Sequence, residues 1–230
     1  MIEAKNLSKH YKETAALKGL NLNVEAGSIY ALLGANGAGK STAINLFMGF
    51  TPATNGTASI NGRAVGASTK NFIAYIPENV MLYPHLTGLQ NLRFFSGLNN
   101  KKYSDQQLNA LLDKAGLQQS AHQNKVGTYS KGMRQKVGIA LALAKEAKAL
   151  FLDEPTSGLD PLASNEFSAI LKTLKDQGVA ILMVTHDLFR AKETADIIGI
   201  MKQGELVKEV KASTISSLQL EELYVMVSNA

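Results

Sequence analysis

Apolar residues alternate with polar ones early in the chain and gather into unbroken runs later. Leu20, Leu22 and Val24 alternate with Asn21, Asn23 and Glu25, the period-two pattern of a strand with one buried face. Thr57–Ile60 reads as another strand, closed by the turn dipeptide Asn61-Gly62. Ile73–Ile76 is a short apolar run stopped by Pro77, as for a strand entering a loop. Ser28–Leu33 reads as a buried strand. Ala149–Leu152 and Val179–Val184 are continuous apolar runs, expected for parallel strands covered on both faces.

Between about residues 88 and 146 the spacing becomes helical. Leu89, Leu92, Arg93 and Ser96 share one face, Asp105–Ala115 forms a second helix ended by Gly116, and Met133, Val137, Ala140, Leu141 and Ala144 form a third stripe. Leu162–Asp176 is a further helix, closed by Gly178. Ile197–Met201, the turn Gln203-Gly204 and Leu206–Val210 predict a hairpin, followed by a short helix over Leu218–Val227. Without repeats, low-complexity segments or a flexible linker, the pattern predicts one α/β domain over residues 1–230 with a helical insertion at about 88–146.

Composition narrows the function. A chain of 230 residues with 45% hydrophobic and 19% charged residues is ordinary globular material. The formal charge of +5 is too small to argue for nucleic acid, and no nucleic-acid partner is expected. With no cysteine, disulfides and zinc–thiolate sites are excluded. No run approaches the roughly 20 apolar residues that cross a bilayer, and Met1–Asn6 lacks the apolar core of a signal peptide. The chain is expected in the cytoplasm, with any membrane role requiring a separate partner.

Directly after Ser28–Leu33 comes Gly34-Ala35-Asn36-Gly37-Ala38-Gly39-Lys40-Ser41, the spacing G-x-x-x-x-G-K-S. A strand running into a glycine loop and then a helix is a phosphate cradle: the glycines let successive N–H groups turn inward, and the helix start adds its partial positive charge. Lys40 would reach the β and γ phosphates, and Ser41 would offer its hydroxyl to Mg²⁺. At the end of Ala149–Leu152 stand Asp153 and Glu154. At the carboxyl edge of a parallel strand Asp153 can hold Mg²⁺, and Glu154 can polarise a water in line with the γ-phosphate. Ser130 is a good N-cap for the third helix of the insertion, and Gly132 leaves its first turn open.

In order along the chain, Tyr11, the glycine loop, Ile76-Pro77-Glu78, Tyr129-Ser130-Lys131-Gly132-Met133, Asp153-Glu154, Ser157-Gly158-Leu159-Asp160 and Thr185-His186 resemble the nucleotide-binding subunit of ATP-binding-cassette (ABC) transporters. Tyr129-Ser130-x-Gly132-Met133-x-Gln135 and the Pro77-Glu78 pair resemble the ABC-2 exporter subtype. The resemblance implies a P-loop NTPase fold with a mixed central sheet, an antiparallel β subdomain and the helical insertion. It implies an ATPase with ATP and Mg²⁺ as cofactors. Gly34, Asn36, Gly37, Ala38, Gly39, Lys40, Ser41, Thr42 and Glu78 would bind ATP, with Tyr11 stacked on adenine or, alternatively, a core residue of an edge strand. Ser41 and Asp153 would hold Mg²⁺, while Glu154 and His186 would be catalytic. Ser130, Lys131, Gly132 and Met133 would face the nucleotide of an opposite subunit, and Asp160 would sit at the dimer interface. Partners implied are a second copy or a paralogous ATPase and a separate integral-membrane permease, with the chain peripheral on the inner face of the cell membrane.

Two segments depart from the common family pattern. Leu-Ser-Gly-Gly-Gln is replaced by Tyr129-Ser130-Lys131-Gly132-Met133, and Glu78 stands where many members have glutamine, adding negative charge beside a triphosphate. For the apolar loop Asn79–Leu86 two readings stand: a groove for a short permease helix, or a loop packed under the insertion. Rival functions are a soluble ATPase of the same fold acting on nucleic acid or protein, and a kinase or GTPase. The single uninterrupted cassette speaks against the soluble ATPase, and the Tyr129–Gln135 signature and the lack of N-K-x-D against the kinase or GTPase.

Overall fold

The computed structural model describes residues 1–98 and 101–229; Asn99, Asn100 and Ala230, which fall inside the ranges 88–146 and 1–230 above, lie outside the described residues. Two sheets organise the chain. β1 (Ile2–Tyr11), β2 (Thr14–Val24), β4 (Asn55–Ile60) and β5 (Arg63–Ala64) form an antiparallel sheet in the order β2-β1-β4-β5. The central sheet has six strands in the order β10-β9-β3-β8-β7-β6. In it β3 (Ile29–Leu33), β6 (Ile73–Ile76), β7 (Ala149–Asp153), β8 (Ala180–Thr185) and β9 (Ile197–Lys202) run parallel, and β10 (Glu205–Lys211) is antiparallel to β9. The sheet is therefore mixed.

Alternation within the apolar runs sends their side chains to two cores. Ile29, Ala31 and Leu33 of β3 pack with the helices on one face. Tyr30 and Leu32 pack on the other face, with the antiparallel sheet and α1 (Lys40–Phe47). Phe47 of α1 stacks on Phe151 of β7 at 5.7 Å, fixing the helix that follows the glycine loop onto the strand that carries Asp153.

The helical segment contains α2 (Gly88–Gly97), α3 (Asp105–Lys114) and α4 (Lys131–Ala144). Reciprocal capping boxes start α2 (Thr87 with Gln90) and α3 (Ser104 with Gln107), satisfying N–H groups that a helix start otherwise leaves open. Arg93 does not join the apolar face that its spacing suggests. Its guanidinium is exposed and pairs with Asp105, joining α2 to the start of α3. α5 (Pro161–Asp176) and α6 (Leu188–Thr194) are N-capped by Asp160 and Asp187. The predicted hairpin is β9–β10, whose turn residues Gln203 and Gly204 both take positive φ, 47° and 86°, as a two-residue type I′ turn requires. α7 (Ser217–Asn229) ends the described chain. Among the described residues, no helix is long and apolar enough to cross a membrane.

Gly199 of β9 is required by the core around it. A β-carbon there would run into the Tyr30 hydroxyl and lie 2.8 Å from Leu206 Cδ1. Gly199→Ala is therefore expected to destabilise the protein by about 1–3 kcal/mol through overpacking, read as a lower urea midpoint at unchanged slope.

Candidate nucleotide site

Register brings the motifs to one edge. Leu33 pairs with Thr185, Asp153 with Val184, and Ile76 with Leu152. The residues after these strand ends, Gly34, Glu154, Pro77-Glu78 and His186, thus emerge together at the carboxyl edge of the sheet, where open α/β sheets hold ligands. Of these, Glu78 and Glu154 line a cavity of about 470 Å³, together with Tyr11, Ala16, residues 35–42 and Asp153.

The glycine loop is shaped by close backbone approach. A β-carbon on Gly39, whose φ is 101°, would sit 2.6 Å from the Ala16 carbonyl oxygen, and one on Gly34 would sit 2.7 Å from that of Met201. Gly39 occupies the N-cap of α1 and has no side chain to offer the first-turn N–H groups. That helix start is consequently available to an anion. Lys40 is 7% exposed and its ammonium donates to the carbonyls of Gly34 (2.5 Å) and Ala35 (3.1 Å). Burial pulls its pKa below the usual lysine value, and the charges of Glu154 and Asp153 oppose that shift. Tyr11 is 45% exposed on the cavity rim, with the Lys9 ammonium 5.0 Å from its ring centre, so the ring is not core.

The acids are each held by separate donors. Burial raises the pKa of Asp153, as does the neighbouring Glu154 charge, while the Tyr75 hydroxyl (3.5 Å) and Lys40 counter it. Tyr75 is in turn pushed up to about 12, chiefly by burial. Glu154 takes a left-handed conformation, φ 46°, uncommon for a residue with a β-carbon and typical of functional positions. Its Oε2 accepts from the Thr185 hydroxyl (3.0 Å) and the His186 N–H (3.3 Å), and its Oε1 lies 2.9 Å from His186 Nδ1. Glu78 Oε1 accepts from Ser157 Oγ (3.0 Å) and Lys131 Nζ (3.2 Å). The Ser157 bond first, and then Lys131, hold this carboxyl below the usual range.

The remaining predicted residues lie outside the cavity. Ser130 is exposed and caps α4, its Oγ accepting from the Met133 N–H. Gly132 is buried against Ala163 and Leu159. Asp160 spends its carboxylate on the Ala163 N–H at 2.8 Å. Sequence reasoning missed Gln135, which is fully buried and donates Nε2 to the carbonyls of Pro77 (3.2 Å) and Glu78 (2.9 Å). Its only sequence signal was its place in the signature. His122 is buried, with its ring bonded to Asn109 and the Leu117 carbonyl. In the loop after Glu78, Met81 is 83% exposed beside a groove of about 430 Å³ lined also by Val80, Leu82, Pro84, Val126 and Arg134.

Hard oxygen donors at Ser41, Asp153 and Glu78 around one cavity suit Mg²⁺, which takes one or two carboxylates and completes its shell with phosphate and water.

A phosphate cradle at the carboxyl edge of a mixed sheet, facing a strand that ends in two acids, defines a P-loop nucleoside triphosphatase. Residues 17–157 match the family model described as "ABC transporter". The chain is 34% identical over 224 residues to the lantibiotic transport ATP-binding protein SrtF of Streptococcus pyogenes, covering 97% of this chain and 96% of the relative. It is 36% identical over 220 residues to the bacitracin transport ATP-binding protein BcrA of Enterococcus faecalis, covering 94% and 70%. Its fold superposes with a TM-score of 0.82 on the ATP-binding cassette MJ0796, solved as a dimer in a post-hydrolysis state with ADP and Pi, at 28% identity and covering 92% and 99%. The chain belongs to the ABC transporter family, as one of its ATP-hydrolysing cassettes.

Because glutamine retains the shape and one acceptor of Glu154, Glu154→Gln is expected to fold normally. Steady-state ATP hydrolysis should fall by about 10²–10⁴-fold, measured as phosphate release, while fluorescent-nucleotide binding persists. Loss of binding together with hydrolysis would place Glu154 in holding the nucleotide.

Proposed function

We propose that this chain is the ATPase of a membrane exporter, working as a pair with a second copy or a paralogue beneath a separate permease on the inner face of the membrane. One arrangement carries the reading. Lys40, Asp153 and Glu154 line one cavity, while Ser130 and Gly132 stand outside it at the start of α4. The donors for the far side of a γ-phosphate then come from another chain. The export direction is supported by the subtype resemblance in Tyr129–Gln135 and Pro77-Glu78, and the transport role by the transport named for SrtF and BcrA.

Phosphoryl transfer needs positioning and charge neutralisation more than covalent help. On binding, Lys40 exchanges its loop carbonyls for the β and γ phosphates, joined by the loop N–H groups and the start of α1. Ser41, Asp153 and Glu78 would hold Mg²⁺, which would add to the neutralisation of the phosphate oxygens. Glu154 orients the attacking water and accepts its proton, and His186, fixed on the Glu154 carboxylate, reaches the γ-phosphate. Tyr11 stacks on the adenine from the rim. Ser130, Lys131, Gly132 and Met133 contact the partner's nucleotide and Asp160 lies at the joint between the two chains. Closure on ATP and release after hydrolysis convert nucleotide state into movement.

The exposed Met81 and its groove receive a permease helix, since adaptable apolar side chains suit such a contact. A tagged chain is expected to recover a polytopic membrane protein from detergent-solubilised native membranes, less of it when Met81 and Leu82 are both made Glu. Recovery of soluble partners alone would replace this reading with that of a soluble ABC ATPase.

A further inference from the structure

Two of the residues at which the chain departs from the common family pattern, Glu78 and Lys131, touch each other. Glu78 lines the nucleotide cavity, whereas Lys131 is the first residue of α4, next to Ser130. Their side chains meet at 3.2 Å, with Ser157 Oγ on the same carboxylate oxygen. One end of this ion pair thus belongs to the chain's own nucleotide site. The other belongs to the surface that, on the dimer reading above, faces the partner's nucleotide.

We propose that the Glu78–Lys131 pair is an exchangeable latch that links the two ATP sites: Mg²⁺ and ATP in a chain's own cavity draw Glu78 away, and the released Lys131 turns to the triphosphate held by the partner. The proposal rests on the dimer reading.

Three features fit an exchange. First, the pair is loosely held: the side chains of Glu78 and Lys131 are 44% and 23% exposed, and pairs this open to water are weak. Second, the backbone beneath is fixed. Buried Gln135, one turn along α4 from Lys131, donates to the carbonyls of both Pro77 and Glu78, so the loop stays on the helix while the carboxylate changes partner. Third, both charges have a better alternative once nucleotide is present. Glu78, Asp153 and Glu154 share the cavity with Lys40 as its lining cation. An incoming triphosphate adds negative charge that a divalent cation beside Glu78 offsets, and a free ammonium beside Ser130 suits the partner's γ-phosphate. Since one chain's occupied site readies the signature that serves the other site, binding at the two sites is cooperative, and linkage makes the effect reciprocal.

The latch makes opposite predictions for its two halves, which a merely structural ion pair does not. In a Glu154→Gln background, dimerisation is followed by analytical sizing over an ATP titration, with Mg²⁺ or with EDTA. The background chain should dimerise with Mg²⁺ and ATP and resist dimerisation in ATP with EDTA, because Glu78 keeps Lys131. Adding Glu78→Gln should free Lys131, lowering the ATP needed for dimerisation in EDTA by about tenfold. Adding Lys131→Gln should weaken dimerisation in both conditions, and Lys131→Arg should restore it. Weakening by both Glu78→Gln and Lys131→Gln, or no effect of Glu78→Gln in EDTA, would overturn the latch while leaving the dimer intact. No dimer of the background chain with Mg²⁺ and ATP would overturn the dimer reading and the latch with it. Thermal unfolding of each variant checks that a lost dimer is not a lost fold.

Discussion

The site hangs from the hydrogen-bond register of the parallel strands β3, β8, β7 and β6, which aligns Leu33 with Thr185, Val184 with Asp153 and Leu152 with Ile76. Two cores hold that register. Alternate residues of β3 go to opposite faces, Ile29, Ala31 and Leu33 to one and Tyr30 and Leu32 to the other. A slip of one residue would exchange the two sets and misplace every loop that leaves the edge. The stack of Phe47 on Phe151 ties the helix after the glycine loop to the acidic strand, so cradle and carboxylates keep their spacing.

On that frame the cavity is charged and held ready. Each acid has donors from a different part of the chain: Asp153 from Tyr75, Glu154 from Thr185 and His186, Glu78 from Lys131 and Ser157. Lys40 rests on the carbonyls of its own loop instead of on an acid. The separation matters, because a cavity whose lysine was already neutralised by a carboxylate would offer a triphosphate little. Charges held in place before the triphosphate arrives are what a phosphoryl-transfer site requires, and among the acids only Glu78 has a partner to exchange.

Some elements were legible because their cause is local. The β9–β10 turn was readable from Gln203-Gly204, and the C-terminal limit of α5 from Gly178. Others were hidden by non-local effects. The alternation of β1 breaks at Asn6, which has φ 47° at a register shift between Ala4 and Leu7, so Ile2, Ala4 and Leu7 all reach the core without strict period two. Arg93 sits at helical spacing among apolar residues, yet its charge is satisfied on α3, a helix the spacing says nothing about.

By itself, the sequence determined the chemistry: a glycine loop that admits close backbone approach, a lysine and serine behind it, and two acids ending an apolar strand. Those are local patterns, in which residue type and spacing dictate what the backbone can do. Only the tertiary structure decided how the pieces meet. Gln135 holds the backbone at Glu78, His186 rests on Glu154, and Glu78 answers Lys131 across 53 residues of chain. Such contacts depend on which strands and helices pack side by side, and no local pattern carries that information.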